Sequence, residues 1–152
     1  MTASSGSVVV ETNGGYTLPD TITIAPVQPG VLTLPDKSLF ALHTADISPV
    51  TPGAPAMQGE VIMFYLVGMG ATNPAMASGA AAPSDRPAPA ATQPTVTIDG
   101  KDAPVVFAGL MPGTVGLYQI YVTMPAGVQS GSVPVVIAQG SATANASTLA
   151  VR

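Results

Sequence analysis

The residue types able to do chemistry are few and scattered in this chain. There is one histidine, His43, and the acid nearest to it in sequence is Asp46. A metal site needs several His or carboxylate ligands at compatible spacing, and a lone histidine in a loop is more often structural or exposed. The eight carboxylates are Glu11, Asp20, Asp36, Asp46, Glu60, Asp85, Asp99 and Asp102. Asp99 and Asp102 form the closest pair and flank an Asp-Gly turn. They offer oxygens for Ca²⁺, but the EF-hand spacing is absent, and the turn-forming role of Asp99 before Gly100 accounts for it better. Glycoside hydrolysis needs two carboxylates held about 5–10 Å apart, and nothing in the sequence selects such a pair. There is no cysteine and no Gly-x-Ser-x-Gly elbow, so the usual signs of a nucleophile are missing. The sequence assigns no catalytic residue, no metal ligand and no cofactor contact, and is expected not to be an enzyme.

Other chemistry is weighed residue by residue. Lys37 and Lys101 each sit beside an aspartate in turn-like sequence, and Asn13, Asn73 and Asn145 are possible partners for a Lys-to-Asn cross-link. A solvated charge is the plainer reading of both lysines. Asn145-Ala146-Ser147 matches the N-glycosylation pattern, which reads as a chance match. Tyr118 is expected in the core, or bonding a backbone carbonyl through its hydroxyl, as corner tyrosines do in sandwiches. Gln119 faces the other way; it either ties down a Gly-rich corner or contacts a ligand, and the structural role is favoured. Tyr16, Tyr65 and Tyr121 show no spaced aromatic platform in sequence. With no Trp and 5% aromatics, a sugar-stacking surface is thinly supplied.

The elements that must position these residues are strands. The 152 residues carry 16 Pro and 16 Gly, and no helical periodicity is sustained. Only 8% of residues are charged and the net charge is −4. The four bases, Lys37, Arg86, Lys101 and Arg152, make no patch for a phosphate backbone or an anionic membrane. No apolar run reaches the ~18–20 residues that span a bilayer. Met1 to Ser7 lacks the basic start and apolar stretch of a leader. Nucleic-acid binding and membrane insertion are thus not expected.

Taken in order, Ser7 to Glu11 and Asp20 to Ala25 predict a hairpin. Asn13-Gly14-Gly15 forms its turn, and Thr17-Leu18-Pro19 its bulge. Pro26 to Gly30 is a breaker cluster. It divides the chain into a hairpin segment, 1–28, and a domain, 29–152. Val31 to Leu34 and Ser38 to Thr44 are short strands, and Ile47 to Gly59 is a Pro-rich loop. Glu60 to Val67 is a strand covered on both faces, ended by Gly68-Met69-Gly70. Asn73 to Pro94, rich in Ala and Pro, reads as an extended, mobile loop that packs no core. Thr95 to Ile98 turns at Asp99-Gly100 and returns as Ala103 to Phe107. A Gly-rich corner, Phe107 to Gly116, leads into the most strongly patterned strand, Leu117 to Met124. Ser132 to Ala138 is its expected antiparallel partner, followed by a last strand near Thr148 to Arg152. About six strands with short connections after Glu60 is the spacing of a Greek-key sandwich.

Several of these stretches carry a family likeness. They are Gly59 to Ile62 through Val67 to Pro74, Val96 to Gly100, Phe107 to Leu110, Gly116 to Gln119, and Met124 to Val128 with Ser130-Gly131. Together they resemble the uncharacterised immunoglobulin-like C-terminal domain of exported acidobacterial proteins. The likeness runs from about Ser7 to Arg152 and is densest from Phe107 to Pro134. It implies an immunoglobulin-like β-sandwich at the end of a secreted or cell-surface chain. It implies no activity and carries over no catalytic or ligand residues. The family extends further upstream, with a sandwich-like unit whose last hairpin corresponds to Ser7 to Ala25. Here that hairpin stands alone and is expected to fold back onto its own domain.

The expectation is therefore an all-β, immunoglobulin-like Greek-key β-sandwich with an extra N-terminal hairpin. Its expected role is a non-catalytic, extracellular or cell-surface structural or interaction module. Its partners would be other proteins or its own copies, through strand addition at an uncharged edge. Two alternatives stay open. One is a polysaccharide-binding module using the 73–94 loop and the 109–116 corner. The other is a filament subunit assembled by strand exchange.

Overall fold

A computed structural model describes residues 4–152, so the first three positions of the Met1 to Ser7 stretch lie outside the described residues. Among the described residues there is no helix. The strands are β1 (Ser4–Val8), β2 (Glu11–Thr12), β3 (Gly15–Tyr16), β4 (Asp20–Ile24), β5 (Gly30–Val31), β6 (Ala41–His43), β7 (Val61–Val67), β8 (Thr95–Ile98), β9 (Lys101–Asp102), β10 (Val105–Leu110), β11 (Tyr118–Thr123), β12 (Gly131–Gln139), β13 (Ala142–Thr143) and β14 (Ser147–Val151).

Two five-stranded sheets share one core. The first runs β10-β11-β7-β5, with β6 also on β7; the second runs β13-β12-β8-β9, with β14 also on β12. Alternation places the side chains. Ile62, Phe64 and Leu66 of β7 and Tyr118, Ile120 and Val122 of β11 point inward. They meet Val133, Val135 and Ile137 of β12, Val96 and Ile98 of β8, and Leu149 and Val151 of β14 in a single cluster. β7 is covered on its outer face too, since Met63 is also buried.

Five expectations need correction. β12 does not pair with β11: it lies in the opposite sheet, against β8 and β14, while β11 sits between β10 and β7. Alternation shows that each strand has one buried face, but it cannot say which strand lies beside which. The return from the Asp99-Gly100 turn is only Lys101–Asp102. The chain then crosses layers, and Val105–Leu110 joins β11. The corner is correspondingly shorter, because Phe107 to Leu110 is strand and the turn begins at Met111.

The 73–94 loop does pack. Ala82, Ala88 and Ala90 are buried in the core cluster. Leu110 N–H donates to Ala88 O and Ala90 N–H to Ala108 O, so residues 88–90 cover the free edge of β10. Small side chains let this backbone come close. A Cβ on Gly109 would meet Ala88 O at 2.6 Å and Pro89 Cα at 2.8 Å.

The fifth correction concerns the N-terminal hairpin. It forms as expected, with Ser4↔Ile24 through Val8↔Asp20 in register and a tight turn at Asn13 (φ 47) and Gly14 (φ 77). Thr17 fills the irregular middle: its amide donates to Val10 O and its hydroxyl accepts from Val10 N–H, both at 3.0 Å. The hairpin does not fold back on its domain. Val8, Val9, Val10, Tyr16, Leu18, Ile22 and Ile24 are all exposed. Its link is anchored instead: Gln28 N–H donates to Gly68 O, and the backbone of Pro26 and Gln28 runs against Gly68 and Gly70 where any side chain would stand.

Candidate functional site

The residues singled out for chemistry mostly have structural partners. Nδ1 of His43 lies 3.1 Å from Glu60 Oε1, off the line of a good hydrogen bond, and Nε2 lies 3.1 Å from Ala54 O. Asp46, the neighbour in sequence, instead accepts from the hydroxyl and amide of Ser48. These bonds, the hydroxyl's first, hold its carboxyl below the ordinary aspartate value. Asp36 does the same with Ser38, and its carboxyl is lowered for the same reason. Glu60 reaches His43 because β6 pairs with the start of β7, a pairing with no sequence signal. Among the described residues no three His or carboxylate side chains converge.

Asp99 accepts from Gln129 N–H at 3.1 Å, and the Lys101 ammonium donates to Gly127 O. Both side chains tie the 125–130 loop to the β8–β9 turn. Asn145 grips Val31, accepting its N–H at 2.7 Å and donating to its carbonyl at 3.2 Å. Neither Lys101 nor Asn145 is therefore free for a cross-link, and Ser147 of the glycosylation pattern is buried. Tyr118 is buried and its hydroxyl donates to Gly70 O, as its type and place suggested. Burial raises its pKa above the ordinary tyrosine value.

Gln119 does not tie down the corner. Among the described residues, only Tyr118 and Gln139 of the Tyr and Gln side chains are held by hydrogen bonds. Gln119 stands on the outer face of the first sheet, and the register lines up what surrounds it. Phe107, Tyr121, Met63 and Leu42 form one row across β10, β11, β7 and β6. Gly109, Gln119 and Tyr65 form the next row, with the Phe40 ring stacked on Tyr65 at 6.3 Å. Phe107 meets the edge of Tyr121 at 6.1 Å, and its ring tip reaches over Gly109. Met63, Leu42 and Gly109 are buried, so the rows present Phe107 and Tyr121 in the first and Gln119, Tyr65 and Phe40 in the second, two strand intervals of about 4.8 Å or about 10 Å across. Partial burial, then the nearby Tyr65 hydroxyl, raises the Tyr121 pKa. Sequence reasoning missed this face because its rings come from four distant segments; only the alternation of Tyr65 and Tyr121 with core residues hinted at it. Tyr16 lies apart, on the hairpin.

At one end of the rows is a recess of about 270 Å³. Ser84 to Pro87 of the long loop, Phe107, Leu110 and Gln119 of the sheet, and Pro112 of the turn line it. A second recess, of about 520 Å³, lies beside β14 between Leu39, Val50 and Pro52. Of its two charged residues, Asp36 is already bonded to Ser38 and Arg152 stands alone. No family model, no curated protein and no solved structure matches the chain.

Proposed function

We propose that this chain is a non-catalytic interaction module of an exported protein, an immunoglobulin-like sandwich that associates through its N-terminal hairpin. The strand order β5-β7-β11-β10 facing β14-β12-β8-β9 supports the Greek-key reading. The resemblance to exported acidobacterial domains supports the placing outside the cell. The exposed apolar hairpin carries the functional reading. Its strands put Ser4, Gly6, Val8, Asp20, Ile22 and Ile24 on one face, apolar between Ser4 at one end and Asp20 at the other, and Ser5, Ser7, Thr21 and Thr23 on the other. An isolated two-stranded hairpin is marginal in water, and an apolar sheet face is stable only when covered.

The surface area points the same way. The chain exposes 8643 Å², whereas a compact protein of 15.1 kDa exposes about 7,100 Å². The excess, about 1,500 Å², exceeds the ~800 Å² each partner contributes to a standard interface. The sandwich blunts its own edges. Residues 88–90 cover β10, residues 37–39 and 56 bond to β14, and β9 is short and charged. The hairpin has no such cover, and only Glu11 and Asp20 are charged in it. Every copy of the chain brings an identical apolar face, so two hairpins stack face to face about a twofold axis.

Light scattering after size exclusion tests this. The full chain is expected to run as a dimer or larger at high concentration, and the Ile22→Asp/Ile24→Asp variant as a monomer. A wild-type chain that stays monomeric at the highest soluble concentration overturns the reading.

A further inference from the structure

The outer face of the first sheet and the recess at its end owe nothing to the hairpin, and we propose that they bind a neutral polysaccharide. One pyranose would sit in the recess, with the chain of sugars continuing over the Tyr121 and Tyr65 rows. Four of the chain's seven aromatic residues (three Phe, four Tyr) lie on this one face: Phe40, Tyr65, Phe107 and Tyr121. An aromatic ring takes the apolar C–H face of a sugar, and nearby polar groups take its hydroxyls.

The recess supplies both. Phe107 forms an apolar side. Around it stand a carboxylate that only accepts (Asp85), a guanidinium that only donates (Arg86), an amide that does both (Gln119) and a hydroxyl (Ser84). Among the described residues the only ion pair is His43 with Glu60, so Asp85 and Arg86 are paired neither with each other nor with a neighbour. Their opposite charges cancel, and no other base lines the recess. That balance selects an uncharged ligand over a phosphate chain or an acidic polymer. The accessible second row, about 10 Å across, matches an extended ligand of more than one ring better than a single small molecule.

Affinity electrophoresis tests the proposal with named probes: hydroxyethyl cellulose, arabinoxylan and galactomannan as neutral polymers, and heparin and polygalacturonate as charged ones. The full wild-type chain is expected to be retarded by at least one neutral polymer and by neither charged one. Asp85→Ala/Arg86→Ala, two exposed loop positions that leave the core intact, should weaken that retardation by about tenfold or more. Gln119→Ala should weaken it in the same direction, with the melting temperature reporting that the fold is kept. Ile22→Asp/Ile24→Asp should bind the polymer as wild type does, which separates this site from the hairpin. No retardation by any neutral polymer overturns the proposal. So does retardation unchanged in the loop double variant, or stronger retardation by heparin or polygalacturonate. If the loop variant instead abolishes self-association in light scattering, the face is a protein contact and the saccharide reading falls.

Discussion

At Gly109 the backbone of the long loop and the ring of Phe107 close over the position where a side chain would begin. The nearest atoms are mostly backbone and cannot swing aside, so Gly109→Ala should destabilise the chain by about 1–3 kcal/mol, the usual cost of overpacking. Gly140 makes the contrast. Its φ is +61 but nothing lies within 4 Å, so Gly140→Ala should cost only the left-handed strain, about 1–2 kcal/mol. Urea midpoints of the two variants check the order. Tyr118 gives a pH-dependent case. Its folded pKa is raised by burial, so the folded chain holds that proton more tightly than the unfolded one. The stabilisation is present below the ordinary tyrosine value and is lost as the pH rises through the higher folded value. Tyr118→Phe should lose about 1–3 kcal/mol at neutral pH, because Gly70 O is left without its donor, and should show a shallower alkaline limb. Asp36 and Asp46 have the opposite sign. Their lowered carboxyls contribute stability above the ordinary aspartate value, and it fades as the pH falls through the folded values. Asp36→Asn/Asp46→Asn should therefore flatten the acid limb of an unfolding curve.

Among the elements, the 73–94 segment departs furthest from what its composition suggests. Ala and Pro supply little apolar area, so the segment reads as a solvated excursion. What the composition hides is that Ala is small enough to let backbone pair with backbone. Ala82 N–H donates to Thr114 O and its carbonyl accepts from Gly113 N–H, and Ala88 and Ala90 bracket β10. Hydrogen exchange should find the amides of Ala82, Ala90, Leu110 and Gly113 protected, while those of Ser84 to Arg86 exchange fast. Uniformly fast exchange across 82–91 would show that the pairing does not persist. The strands themselves were legible where alternation was strict, in Tyr118 to Thr123 and the hairpin with its Asn-Gly turn, and where an apolar run was continuous, in Val61 to Val67. The layers were not. A buried face in β12 is the same pattern whether β11 or β8 lies beside it, and only long-range pairing decides. The candidate site was legible only in pieces. Gln119 and the loop and corner near it could be named as possible ligand contacts, but Phe40 and Phe107 join them solely through the register of strands far apart in sequence.

For the whole molecule, the core cluster begins at Val31 and takes nothing from residues 4–24. The hairpin is attached through Pro26 to Pro29, held by the Gln28 amide on Gly68 O. Burial, which dominates cooperative unfolding, therefore belongs to the sandwich alone, and the hairpin contacts proposed between copies would form a separate, weaker unit. Mass action then separates the two. Association through the hairpin must depend on protein concentration, whereas unfolding of the sandwich must not. Calorimetry at two concentrations roughly tenfold apart, with light scattering alongside, should show an early loss of dimer that moves upward with concentration. A main unfolding peak should follow at the same temperature in both samples. Ile22→Asp/Ile24→Asp should delete the first event and leave the second in place. A single peak that shifts with concentration would mean that the hairpin and the sandwich fold as one unit, and that the boundary at Pro26 to Gly30 is covalent only.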